Sequence, residues 1–143
     1  MGNGDGTFAA PANYAVGNAP ISVVVADFNG DGKTDLAVAN NGDNSVLVFS
    51  RSAQGDAAPV RVIRGSRTGI VSPMGVAIDA KNDEIWVANY GDHTAAVFSR
   101  TATGNAAPKR IVRNAPAGTP TGGFGNPYAV AYDSKRDQLL VPN

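Results

Sequence analysis

Ile21-Ser22-Val23-Val24-Val25-Ala26, then Asp27-Phe28-Asn29-Gly30-Asp31-Gly32-Lys33-Thr34-Asp35, then Leu36-Ala37-Val38-Ala39: this run decides how the chain is read. Two short apolar segments, the first rich in β-branched residues, flank a loop of Asp, Asn and Gly, which is the pattern of two strands joined at a hairpin. Within the loop, oxygen-bearing side chains fall at alternate positions, Asp27, Asn29 and Asp31; the Lys33 carbonyl follows and Asp35 closes the run. A hard cation such as Ca²⁺ takes several oxygen ligands, some of them charged, from a loop that curls around it. Gly30 and Gly32 permit that curl. The spacing predicts a metal site of Asp27, Asn29, Asp31, Lys33 (through its carbonyl) and Asp35, with Ca²⁺ as the ion. A helix-flanked calcium loop does not fit, because its last position should be a bidentate Glu and Val38 stands there instead. The competing reading is a solvated Asp/Gly turn that holds no ion.

Outward from this hairpin the chain repeats itself. Pro20 through Asp27 recurs as Pro73-Met74-Gly75-Val76-Ala77-Ile78-Asp79 and as Pro127-Tyr128-Ala129-Val130-Ala131-Tyr132-Asp133, so that Asp27, Asp79 and Asp133 stand 52 and 54 residues apart. After each copy comes a turn and an apolar run ending in Asn: Asp35 to Asn40, Glu84 to Asn89, Gln138 to Asn143. A third element occurs twice, Ser45 to Arg51 and Thr94 to Arg100. A fourth occurs three times after an Ala-Pro pair, Ala10 to Val16, Ala58 to Arg64 and Ala107 to Arg113.

A period of about fifty residues built from four short strands is the mark of a β-propeller blade. The expected fold is all-β, with blades of four antiparallel strands. In strand order the chain reads d, abcd, abcd, ab, or just under three blades. The expected division is 1–17 as the outer strand of a shared blade, 18–66 as the blade with the calcium loop, 67–116 as the second blade and 117–143 as the inner strands of the shared blade. Propellers run to roughly four to eight blades, so the ring is expected to be completed by oligomerisation, with a homodimer preferred. One third strand is then missing at each joint.

Composition narrows the function. The formal net charge is zero, with acids and bases interspersed, so no basic surface for nucleic acid or anionic lipid is expected. No apolar run is long enough to span a bilayer. The polar residues after Met1 do not form a signal peptide. The absence of Cys excludes disulfides and thiolate chemistry.

The residues Gly2-Asn3-Gly4-Asp5-Gly6-Thr7-Phe8, Ala10-Pro11 and Val25 through Val38 resemble the VCBS/FG-GAP type of propeller repeat, over residues 2 to about 47. That resemblance implies Ca²⁺ held by Asp27, Asn29, Asp31, the Lys33 carbonyl and Asp35, and an extracellular or cell-surface location. From about Phe49 onward the chain is similar to NHL-like propeller repeats. There the corresponding turns read Asp79-Ala80-Lys81-Asn82-Asp83-Glu84 and Asp133-Ser134-Lys135-Arg136-Asp137-Gln138, with basic residues where oxygen ligands are needed. One metal site per chain is therefore expected. A join near Val48 suggests an engineered or recombined chimera, with natural divergence of blades as the alternative.

Catalytic candidates are few. His93, the one histidine, matches Asn44 of the earlier copy and reads as a turn residue, since no nucleophile accompanies it. Gly2 to Gly6 and Thr121 to Gly125 precede no helix and read as connections, with a weak second cation role open for Asp5. Trp86, in the place of Ala37, is expected between blades, with a sugar-stacking platform as the functional alternative. Arg51, Arg64, Arg100 and Arg113 are expected on outer strands, where charge discourages edge pairing. Asn40, Asn89 and Asn143 are expected to make a blade-structural hydrogen bond. The expectation is a non-catalytic calcium-binding propeller scaffold or recognition module, whose partners are itself and, as alternatives, a glycan or protein ligand. A propeller enzyme of the lactonase or lyase kind is the remaining alternative.

Overall fold

A computed structural model describes residues 4–8, 13–113 and 127–142. The described residues contain strands and no helix. Strands β1 (Pro20–Ala26), β2 (Asp35–Asn40), β3 (Ser45–Phe49) and β4 (Arg61–Arg64) form one antiparallel sheet in sequence order. Strands β5 (Pro73–Asp79), β6 (Glu84–Asn89), β7 (Thr94–Ser99) and β8 (Arg110–Val112) form a second in the same order. Strands β9 (Ala131–Asp133) and β10 (Gln138–Leu140) form a hairpin. These four-stranded antiparallel sheets are consistent with propeller blades. The fourth-element copies at 58–64 and 107–113 become β4 and β8, whereas the copy at 10–16 does not become a strand in its described part. Instead Tyr14 donates its hydroxyl to the Ala53 carbonyl at 2.9 Å, and Val16 packs on Val38, Leu47 and Phe49. Thr121 to Gly125 and Asn143 lie outside the described residues.

The repeat holds at the level of register. Ser22 faces Ala39 as Gly75 faces Ala88, and in both sheets the pairing slips beside the leading proline. Asn41 and Gly42 donate to the Ala19 and Asn18 carbonyls just as Tyr90 and Gly91 donate to those of Ser72 and Val71. Ala19 and Ser72 share a left-handed backbone, with φ of 49° and 47°. Asn44 and His93 do likewise at 49° and 57°, a conformation that Asn and His tolerate better than β-branched residues do. His93 thus occupies a turn position, as expected.

Because side chains alternate along a strand, each sheet has two distinct faces. One face of the first sheet carries Val24, Ala26, Ala37, Ala39, Val46, Val48 and Ile63; it packs on Val76, Ile78, Ile85, Val87, Ala96 and Phe98 of the second. The other face of the second sheet, with Ala77, Trp86 and Ala88, packs on Val130, Leu139 and Val141 around the third hairpin. Small residues at the contact let the layers approach. A Cβ on Gly75 would stand only 2.9 Å from the Ala129 Cα and the Val130 nitrogen. Trp86 lies between the second sheet and the hairpin, with the Arg110 guanidinium 5.0 Å from its ring centre.

Asn89 is fully buried and ties its sheet to the connection before it. Its amide oxygen accepts from Val71 N at 3.2 Å, and its amide nitrogen donates to the Gly69 carbonyl at 2.8 Å and to Thr94 Oγ1 at 3.2 Å. The expected structural role of this asparagine position holds there. Asn40, its counterpart, is equally buried and donates to Ser45 Oγ at 3.4 Å.

Candidate metal centre

The Asp27–Asp35 loop connects β1 to β2, which hold its ends in adjacent register through Ala26 and Asp35. Its side-chain oxygens fold back on the backbone in succession. Asp27 Oδ1 accepts from Asn29 N at 3.2 Å, Asn29 Oδ1 from Asp31 N at 2.9 Å, and Asp31 Oδ1 from Lys33 N at 2.8 Å. Such Asx turns are what Asp and Asn favour in loops. Gly30 and Gly32 take φ of 84° and 78°, where any other residue would be strained, and their amides donate to Asp27 Oδ1 and Oδ2 at 2.6 and 2.9 Å. Partial burial pushes the Asp27 carboxyl up, but those amides and Arg100 outweigh it and hold it below the usual range.

The loop is anchored by a residue that its polar composition conceals. Phe28 is fully buried in the core between the first two sheets. Its carbonyl accepts from Arg61 Nη2 at 2.7 Å, and its amide lies 3.3 Å from Asp35 Oδ2. Asp35 itself is only 2% exposed, and that amide is the one hydrogen bond to its carboxylate among the described residues.

Arg100 reaches the loop from the neighbouring blade. Its Nη2 donates to the Asp27 carbonyl at 2.5 Å and stands 3.0 Å from Asp27 Oδ1, while Nη1 pairs with Asp83 at 3.1 Å. Arg61 in turn donates to the Arg100 carbonyl. The expectation that all four repeated arginines mark outer strands is corrected here. Arg64 lies on β4 and Arg113 directly follows β8, but Arg51 and Arg100 follow the third strands. Arg100 is an inter-blade tie because its turn faces the preceding loop rather than an open edge.

Among the described residues, no three His, Cys, Asp or Glu side chains form a ready-made ion cage. The five expected ligands share one loop, where Asp31, Lys33 and Asp35 border an opening with Ser50, Arg51 and Ser52. The other two turns differ in how their acids are met. Lys81 pairs with Asp137, and Asp133 with Arg136 at 2.7 Å. Glu84 is gripped by Arg110 at 2.6 and 2.7 Å and by Lys109 at 2.8 Å. The Arg110 hydrogen bonds, against a desolvation cost and with help from Lys109, pull its carboxyl down to about 2. In the first loop only Asp27 forms an ion pair among the described residues; Asp35 lies near enough to Arg61 for their charges to attract, and Asp31 forms no ion pair.

Comparison with known proteins singles out the same stretch. Residues 19–56 match the FG-GAP repeat. The FG-GAP match covers β1, the loop, β2 and β3 and runs past Val48, so a join there would fall inside the buried strand β3. No curated protein matches the chain. The FG-GAP stretch within four-stranded antiparallel sheets supports a β-propeller scaffold or recognition module.

Sequence reasoning missed Phe28 and Arg61 and misplaced Arg100. A signal for the arginines was present in the recurring Pro59-Val60-Arg61 and Pro108-Lys109-Arg110 and in the two Val-Phe-Ser-Arg stretches. Phe28 was visible as an aromatic residue inside an otherwise polar loop.

Proposed function

We propose that the chain is a non-catalytic, calcium-stabilised propeller module that serves as scaffold or recognition surface, working extracellularly as FG-GAP repeats typically do. The observation that carries the calcium reading is the incompletely compensated charge of the first loop, where Asp27 pairs with Arg100 and Asp35 is attracted to the Arg61 guanidinium without an ion pair. Asp35 is buried with one long amide contact and no ion pair, and Asp31 forms no ion pair among the described residues, while in the corresponding turns Glu84, Asp133 and Asp137 pair with Lys or Arg and Asp79 is held by Asn82. Burial of an unpaired carboxylate is costly, and a divalent cation removes that cost. Asp27, Asn29, Asp31, Asp35 and the Lys33 carbonyl supply the hard oxygen donors that Ca²⁺ prefers. Carboxylates that accept Asx-turn amides keep further lone pairs for an ion. The ion would fasten the β1–β2 hairpin, and Phe28 and Arg100 would carry that rigidity into the neighbouring sheet.

The second blade and the third hairpin are read as NHL-like repeats without ions, joined to the FG-GAP blade by recombination or divergence. Isothermal titration of the chelated protein with Ca²⁺ tests the reading. One site per chain, lost in Asp31→Ala while the strand signal in circular dichroism stays, is the expected result. Absence of heat and of any spectral change on adding calcium would refute it.

A further inference from the structure

Two exposed apolar surfaces among the described residues each repeat a face that is covered elsewhere in the chain. Val23 pairs with Val38 as Val76 pairs with Val87. Yet Val76 is 3% exposed beneath the first sheet, while Val23 is 63% exposed. Ile21 and Val25 on the same strand are 50% and 59% exposed. Ile21 and Val23, together with Tyr14, Val16 and Leu36, line an open apolar groove of about 300 Å³. At the other end Leu140, the counterpart of Trp86 on the third hairpin, is 57% exposed. Its neighbours Leu139 and Val141, on the opposite face, are packed against the second sheet.

We infer that these two surfaces dock on each other between copies of this chain, the third hairpin of one on the β1 face of the next, head to tail. The argument rests on the propeller reading of the fold and is independent of the calcium site. Both mating faces already mate within the chain. The face of the first sheet that carries Ala37 covers Val76, and the face of the second that carries Trp86 covers the third hairpin. Moving one step along the repeat sets the Leu140 face of one copy over Val23 of another.

Polar groups follow the same shift. Arg51 occupies in Val48-Phe49-Ser50-Arg51 the place of Arg100 in Val97-Phe98-Ser99-Arg100, and it is exposed, whereas Arg100 is spent on the neighbouring turn at Asp27. Arg51 of one copy would meet the turn at Asp133 of the copy before it. Unlike faces that meet in this way form a heterologous joint, which closes into a ring or runs on as a chain. Two copies together bring six inner hairpins, three from each, and this lies within the roughly four to eight blades that close a propeller.

A complementation experiment tests the inference. Val23→Asp spoils the β1 face and Leu140→Asp the hairpin face; both residues are exposed in the single chain, so circular dichroism should be unchanged. Light scattering should find wild type dimeric and each variant alone monomeric. An equimolar mixture should form a one-to-one dimer, since it retains one intact joint. In isotope-labelled wild type, dilution should shift amide resonances of β1 and β10 together. A monomeric wild type at high micromolar concentration overturns the inference. So does a variant pair that fails to complement, or a dimer lost only in Val23→Asp, which would mean like face on like face. Calcium binding by a monomer would leave the functional reading standing while this one fails.

Discussion

Replacing Glu84 by Gln probes the best-defined electrostatic contact of the fold. Glu84 opens β6 beside Asp79 and is 4% exposed, with Arg110 and Lys109 on its oxygens. Its carboxyl is pulled from 4.5 down to about 2 by the Arg110 hydrogen bonds first, against desolvation, and by Lys109. At about 1.36 kcal/mol per pH unit this gap corresponds to about 3 kcal/mol. Arg110 and Lys109 are each 47% exposed, so solvent screening reduces the figure to about 1.5 kcal/mol. Since the folded value lies below the unfolded one, the stabilisation is complete above about pH 4.5 and is lost as pH falls toward 2. Urea unfolding followed by the fluorescence of Trp86, the chain's one tryptophan, reads it directly. Glu84→Gln should be less stable than wild type by about 1.5 kcal/mol at pH 7, and most of that gap should close by about pH 3. An equal gap at both pH values, or none at pH 7, would refute the assignment.

Three further outcomes are expected. Gly75→Ala places a methyl against the backbone of Ala129 and Val130; it should cost about 1–3 kcal/mol and speed amide exchange in β9 and β10 more than in β2 and β3. Asn89→Ala strands the Val71 amide and the Gly69 carbonyl and should cost about 2–4 kcal/mol by chemical denaturation. Arg100→Gln removes the tie to Asp27 and Asp83. Calorimetry should show the calcium-free protein destabilised by about 1–3 kcal/mol and calcium binding tightened several-fold, because a positive charge beside the loop is gone.

The blades were legible because three signals agreed: the Pro-to-Asp strand, the Asn that ends its partner, and turns of Gly and Asp between them. Strand order followed, as did the turn positions of Asn44 and His93, which share a positive φ. The inter-blade contacts were not legible. Arg51 and Arg100 stand in the same four-residue motif, yet only Arg100 has a neighbouring loop within reach, so the motif alone cannot assign its partner. Residues 13–16 carry the pattern of an outer strand but pack side-on through Tyr14 and Val16, because strand formation depends on a ladder partner as well as on the segment. In the Asp27–Asp35 loop the spacing picked out the oxygen-bearing side chains, while the burial of Asp35 and the anchoring by Phe28 depend on the second sheet lying against the first.

Thermal unfolding with calcium and with chelator tests the central claim most directly. If Ca²⁺ binds the folded loop, saturation a hundredfold above Kd adds about 2.7 kcal/mol, or an increase in Tm of about 6–12 °C for a chain of this size. The account predicts that increase for wild type and its absence for Asp31→Ala. Superimposable melting curves for wild type in calcium and in chelator would contradict it.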